Sequence, residues 1–221
     1  LIVNPHHEHE FEAAPGLPEP LPADERLLWQ GAPKWQQVAF DIFHVRTLAW
    51  YFAAMLLLQA TYLLGQPEAD LFKPLLLSFL LSSMALGILS LLAWLTASTA
   101  MYTLTNKRVV MRIGVVLTLT FNLPLRMLAG ASIKTHANGT GDVALKLAGN
   151  DHIAWLNLWP HARPWVLRHP EPSLRCIANV SEVGERIVQA WQAVNPHIPV
   201  MLGDTSPSSD APRVSQGEFA A

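Results

Sequence analysis

The chain has 221 residues, a formal net charge of −2 and a charged fraction of 14%, well below the roughly 25% of ordinary soluble domains. Near-neutral charge removes the electrostatic reason to expect a nucleic-acid partner. Cys176 is the single cysteine, which excludes an internal disulfide and fits a cytoplasmic location for the bulk of the chain.

Residues 1–24 hold five prolines, several His and Glu, and little apolar periodicity, the composition of an extended arm. His6, His7 and His9 alternate with Glu8 and Glu10, a pattern that reads as solvated tail rather than metal site. No cleavable signal is visible, and the first apolar span is too long for a signal core. The chain begins at Leu1, so its true start stays open. Residues 25–46 read as a short amphipathic juxtamembrane segment. Leu27, Leu28 and Trp29 form an ordered piece, Gly31 and Pro33 break it, and residues 36–44 can run as helix into the first span.

Residues 47–66 and 75–101 contain no Asp, Glu, Lys or Arg. About 20 apolar residues suffice to cross the hydrocarbon core, so residues 47–101 predict a two-helix transmembrane hairpin. Glu68, Asp70 and Lys73 mark its polar turn. Trp50, Tyr51, Tyr62, Trp94 and Tyr102 fall where amphipathic rings favour the headgroup zone. Arg26, Lys34 and Arg46 flank one side and Lys107, Arg108 and Arg112 the other, against Lys73 alone in the turn. The positive-inside rule then places both termini in the cytoplasm. The spans hold no ionisable group of the kind that marks a transport path and no His to serve as an axial ligand. His44 lies just outside, where a headgroup contact is the simpler role. Ala49 with Ala53, Ser78 with Ser82, and Ser83 with Gly87 are small residues four apart that let helices approach closely. They serve packing within the hairpin or docking on a partner's helix. The sequence leaves homo-oligomerisation open.

After Met101 the period changes to two. Val109, Met111 and Ile113, then Leu117, Leu119, Phe121 and Leu123, then Val143, Leu145 and Leu147 alternate with other residues, as half-buried strands do. Asn138-Gly139 is a hairpin signal. Residues 153–159 read as a further strand, followed by an irregular stretch with Pro160, Pro164, Pro170 and Pro172. Asn179 and Glu182 have the spacing of a capping box, and Val183, Ile187 and Trp191 share one helical face. The fold class expected is therefore α+β: a hairpin plus a cytoplasmic domain, residues 102–195, built as an antiparallel β-barrel closed by a C-terminal helix. Residues 196–221 read as a disordered tail.

No phosphate loop, nucleophile elbow, HExxH motif or cysteine pair occurs. His136, His152, His161 and His169, with Asp142 and Asp151, are scattered without metal-ligand spacing. Arg175 beside Cys176 could lower a thiol pKa, but a buried structural cysteine is the simpler reading. No catalytic, cofactor-binding or metal-binding residues are assigned. Arg46, Lys107, Arg108 and Arg112 are candidates for the membrane surface, where each cation near an anionic leaflet contributes about 1 kcal/mol.

Residues 25–33 (ERLLWQGAP) and 102–114 (YTLTNKRVVMRIG), with the later hairpin 139–143, resemble bacterial membrane proteins that carry a pleckstrin-homology-like domain. Residues 159–165 (WPHARPW) and 170–175 (PEPSLR) extend the resemblance to the photosynthetic complex assembly proteins of that class. The resemblance covers residues 16–192. It implies a pleckstrin-homology-like fold and a role in building the reaction centre with its core light-harvesting ring in purple phototrophic bacteria, and it implies neither catalysis nor a bound pigment or other cofactor. Implied partners are reaction-centre and core-antenna subunits or their precursors, in the cytoplasmic or intracytoplasmic photosynthetic membrane. The alternative is a general membrane-anchored module that binds anionic lipid surfaces or another membrane protein.

Overall fold

The computed structural model describes residues 21–66, 70–136, 138–148, 153–164, 166 and 170–197; the expected N-terminal arm up to residue 20, Glu68, and the tail from residue 198 lie outside them. Both uncharged stretches are helices. Helix α2, Val45–Leu64, has 20 residues and helix α3, Phe72–Thr99, has 28. At 1.5 Å per residue they are about 30 and 42 Å long. Both are long and apolar enough to cross a membrane. Their outer surfaces expose Trp50, Leu57, Leu58, Leu77, Met84 and Trp94. Hydroxyls within α3 are satisfied locally: Ser82 donates to the Ser78 carbonyl at 2.7 Å and Ser90 to Leu86 at 2.8 Å.

The segment before the hairpin does not run as one helix into the first span. Leu27–Gly31 is strand β1, a three-residue helix α1 occupies Trp35–Gln37, and a π-helical turn follows at Val38–Ile42. His44, with φ 52°, then breaks the helix ahead of α2. After α3 come β2 Met101–Thr105, β3 Arg108–Ile113 and β4 Leu119–Pro124. The four strands form one antiparallel sheet in the order β1-β2-β3-β4. The hairpin is thus inserted between two neighbouring strands of one sheet. A second antiparallel sheet holds β5 Leu128–Thr135, β6 Gly141–Leu147 and β7 Ser173–Ile177.

No closed barrel joins these sheets among the described residues. Pro124, which has no N–H, and the 3-10 turn Leu125–Met127 end the ladder where β4 gives way to β5. The amphipathic helix α5, Val180–Val194, bridges the two sheets instead, packing on β1, β5 and β6. Val183, Ile187 and Trp191 are buried against Leu104, Met111, Val143, Leu145 and Leu174, and Trp191 Nε1 donates to the Leu128 carbonyl at 2.9 Å.

Two other local expectations change. Residues 153–159 are not a strand: Trp155–Leu158 is a short helix, α4, in which Leu158 alone is buried. The capping box does not form either. Asn179 sits at φ 50° without a side-chain cap, and Glu182 pairs with Arg186 at 2.7 Å. The Asn138-Gly139 turn is present, with Gly139 at φ +74° and Asn138 Oδ1 accepting from the Thr140 amide at 3.2 Å and hydroxyl at 2.6 Å.

Candidate functional site

The last turns of α3 are clasped by the domain. Ala93 and Ala97 pack with Val38, Ala39 and Cys176 in a small second core, flanked by Ile42, Phe43 and Val45. The Lys34 amide donates to the Cys176 carbonyl at 2.9 Å, and His136 Nδ1 lies 3.7 Å from Asp41. Phe43 meets the Trp159 ring edge-on at 5.9 Å. Residues before the hairpin, at its far end and deep in the domain therefore share one junction, which couples the helices to the sheets.

Behind the junction lies a buried polar network. The Tyr102 hydroxyl stands 2.6 Å from His161 Nδ1 and accepts the Arg175 amide at 3.2 Å. Arg175 Nε lies 3.1 Å from Asp142 Oδ2, an ion pair without hydrogen-bond alignment. Arg175 Nη1 donates to the Ala162 carbonyl at 3.2 Å, and Asp142 Oδ1 accepts the Cys176 amide at 2.8 Å. The two sequence segments that carry the closer resemblance meet here. Ala162 bridges Pro172, the Arg163 amide donates to the Glu171 carbonyl, and the Arg163 and Glu171 side chains pair at 2.7 Å.

These environments oppose reactive ionisation. Burial, and secondarily the Arg175 charge, lowers His161 from 6.5 to about 3. Its neutral ring shares a hydrogen bond with the Tyr102 hydroxyl at Nδ1, and Nε2 is buried without a partner among the described residues. Burial also raises Tyr102. For Cys176, burial and then the Asp142 charge outweigh Arg175 and push the thiol up to about 12, opposite to the direction that the Arg175 neighbour suggested. Asp142 and His161 do not touch but connect through Arg175 and Tyr102. His152, His169 and Asp151 lie outside the described residues, and no metal-ligating group of three occurs among the described ones.

A pH dependence follows from His161. Below 6.5 the unfolded chain takes up a proton that the folded site refuses until about 3. Stability is therefore expected to fall as pH drops through that window, by about 1.4 kcal/mol per pH unit at most. His161→Gln, whose side-chain carbonyl can still accept from Tyr102, should flatten this slope. The check is the thermal midpoint of the full chain in detergent micelles between pH 7 and 4; an unaltered slope in the variant would count against it.

The basic candidates do not form one patch. Arg46 is the second residue of α2, with its guanidinium 6.0 Å from the centre of the Phe40 ring. Arg112 pairs with Met101 in the β2–β3 register, beside the end of α3. Lys107 and Arg108 lie at the opposite end of the same strands, about 15 Å away at 3.3 Å per residue. Both meet acids from the segment before β1. Lys107 pairs with Asp24, and Arg108 Nε donates to Glu25 Oε1 at 2.7 Å. Thr105 Oγ1 also donates to Glu25, at 2.7 Å. Burial raises the Glu25 carboxyl, but hydrogen bonds from Arg108 and Thr105 and the nearby cations outweigh it and hold it below its usual value.

The small-residue candidates divide as well. Ala49, Ser78 and Ser82 are partly covered, whereas Ala53, Ser83 and Gly87 are exposed. A side chain at Gly87 would meet nothing within 4 Å.

Residues 45–191 match the family described as Bacterial PH domain. The match begins at α2, so β1 and the acids that hold it precede it. An uncharacterized 23.7 kDa protein in the puhA 5' region of Rhodobacter capsulatus is 36% identical over 193 residues, covering 85% of this chain and 89% of that protein. A solved DUF1696 family protein with a pleckstrin-homology domain, from Shewanella loihica PV-4, aligns at 14% identity with a TM-score of 0.28, over 42% of this chain and 71% of that one.

Proposed function

The chain belongs to the bacterial PH domain family, and from that premise we propose that it is a non-enzymatic assembly factor for the photosynthetic reaction centre and core light-harvesting complex. A helical hairpin holds it in the bacterial membrane with both termini cytoplasmic. The observation that carries the mechanism is the insertion of the hairpin between β1 and β2. A domain hung on one flexible linker could sample many positions. Here both ends of the hairpin enter one sheet, and α3 is packed on residues from both sides of it. The domain is held at a set height over the bilayer, as a scaffold needs to be when it presents partner segments to helices assembling below.

The photosynthetic context is supported by the relative named for its position 5' of puhA. The non-enzymatic reading is supported by the state of the buried groups. His161 is held neutral and Cys176 protonated, both shut inside the fold. The paired state of Lys107 and Arg108 favours a structural duty for them over a general anionic-lipid site.

Deletion of this protein is expected to lower the amount of reaction centre and core antenna in membranes of its phototrophic host while leaving the absorption spectrum of each remaining complex unchanged. Quantitative membrane spectroscopy after a shift to phototrophic growth reads both quantities. Unchanged complex levels would refute the assembly role. Loss of one discrete band at normal complex abundance would identify a pigment-bearing subunit instead.

A further inference from the structure

We propose that the β3–β4 loop is a second membrane contact, an apolar tip that enters the lipid headgroup boundary beside the span α3. The inference rests on α2 and α3 being membrane spans. The loop reads Gly114-Val115-Val116-Leu117-Thr118. Val116 is 90% exposed and Leu117 79%, with Val115 and Leu119 also exposed beside them. Leaving adjacent branched apolar side chains in water at the point of a hairpin is unfavourable, and such a tip marks a contact.

The backbone is built to present this tip. Gly114 has φ +120°, and a Cβ there would stand 2.0 Å from the Leu117 carbonyl oxygen. Glycine alone permits that tight return, which keeps Val116 and Leu117 away from the domain's own core.

Register and length give the tip its neighbour. Met101 pairs with Arg112, and Ile113 with Leu119, so the loop projects past the start of β2, at the end of the sheet where α3 arrives. β3 itself packs against α3. A five-residue loop reaches about 8 Å beyond its last strand pair. From Trp94 to Ala100, the residue that follows α3, the rise is about 9 Å. The reach of the tip is comparable to that rise, and Trp94 is a half-exposed ring of the type that favours the interface. The loop has no acid. An apolar, acid-free point and a covalently adjacent span together fit a lipid surface. With this contact the domain is held at two points and cannot swing about the axis of α3.

The test uses the full chain in phosphatidylcholine–phosphatidylglycerol vesicles, with and without lipids brominated in the upper acyl chain. A polarity-sensitive fluorophore is placed on Val116→Cys, on Leu57→Cys in α2, or on Arg126→Cys at the far end of the sheet. The native Cys176 is fully buried and stays unlabelled. Emission from the Val116 label is expected to shift to the blue, to be quenched by brominated lipid and to lose iodide quenching. The Arg126 label should be quenched by iodide alone. If the Val116 label behaves like the Arg126 label while the Leu57 label is lipid-quenched, the tip proposal fails and the spans stand. If the Leu57 label escapes lipid quenching, the membrane reading fails and the tip proposal with it. A Val116 label shielded from iodide but not quenched by lipid would mean that protein covers the tip, which also overturns the proposal.

Discussion

An Asp142→Ala chain is expected to lose about 3–5 kcal/mol of domain stability, the cost of stranding a buried charge. Asp142 and Arg175 are each 6% exposed. The substitution leaves the Arg175 guanidinium, which donates to the Ala162 carbonyl, without its counter-ion and removes the acceptor of the Cys176 amide. Cys176 sits at φ 53°, a left-handed conformation unfavourable for a side chain, so its anchoring bond matters more than most. Against total stabilities of about 5–15 kcal/mol, such a loss is a large share. Asp142→Asn keeps an acceptor for Cys176 and should cost less. Replacing the pair together, Asp142→Leu with Arg175→Met, should recover part of the deficit, since no unpaired charge remains. Thermal midpoints of the full chain in micelles, with limited proteolysis, order the three variants. A midpoint for Asp142→Ala equal to that of the parent would contradict the role assigned to the network.

How much of this was legible beforehand depended on how local each signal is. The alternation of Val109, Met111 and Ile113, and of Val143 and Leu145, records a buried face directly, and those strands are present. The helical face of Val183, Ile187 and Trp191 was equally plain. Strand β1 was not, because its partner lies across the whole hairpin: Gly31 pairs with Tyr102. Strand β5 runs Leu-Ala-Gly-Ala-Ser, residues with weak strand preference. Strand β7 hides Arg175 among apolar neighbours, and its counter-ion stands on another strand. Residues 153–159 read as a strand by their apolar content, yet Trp155–Leu158 is a short helix that buries Leu158 alone. The polar network followed the same rule. Its members come from β2, β6, β7 and residues 161–162, and no one-dimensional spacing joins them. The basic group Lys107 and Arg108 was visible as charge, but its acids lie 83 residues earlier in each case. A chain read in order sees cations beside a membrane span; the folded chain shows ion pairs that fasten a strand.

Arg108→Glu is expected to release β1 from the sheet, and Glu25→Arg in the same chain to restore it. Glu25 has a side chain only 3% exposed, and Arg108 one 29% exposed. Reversal at Arg108 sets a second carboxylate against a nearly buried one, worth about 3 kcal/mol of destabilisation, tempered by the water that reaches position 108. β1 holds an edge of the sheet with five residues, so that energy is large relative to what docks it. The pH sense agrees. Because the Glu25 carboxyl is held below its usual 4.5, its contribution is fully present above that value and is lost as pH falls through the lower, folded-state value. Amide exchange across residues 25–31 of the full chain in micelles reads the docking directly. Fast exchange in Arg108→Glu and renewed protection in the swapped pair would identify a clasp between β1 and the β2–β3 turn. If Arg108 served lipid instead, the single variant would weaken contact with anionic vesicles, leave β1 protected, and gain nothing from the swap. The distinction reaches the proposed scaffold itself, since β1 is the strand that pairs with β2 across the hairpin, and its release would remove one of the links between the helices and the sheet.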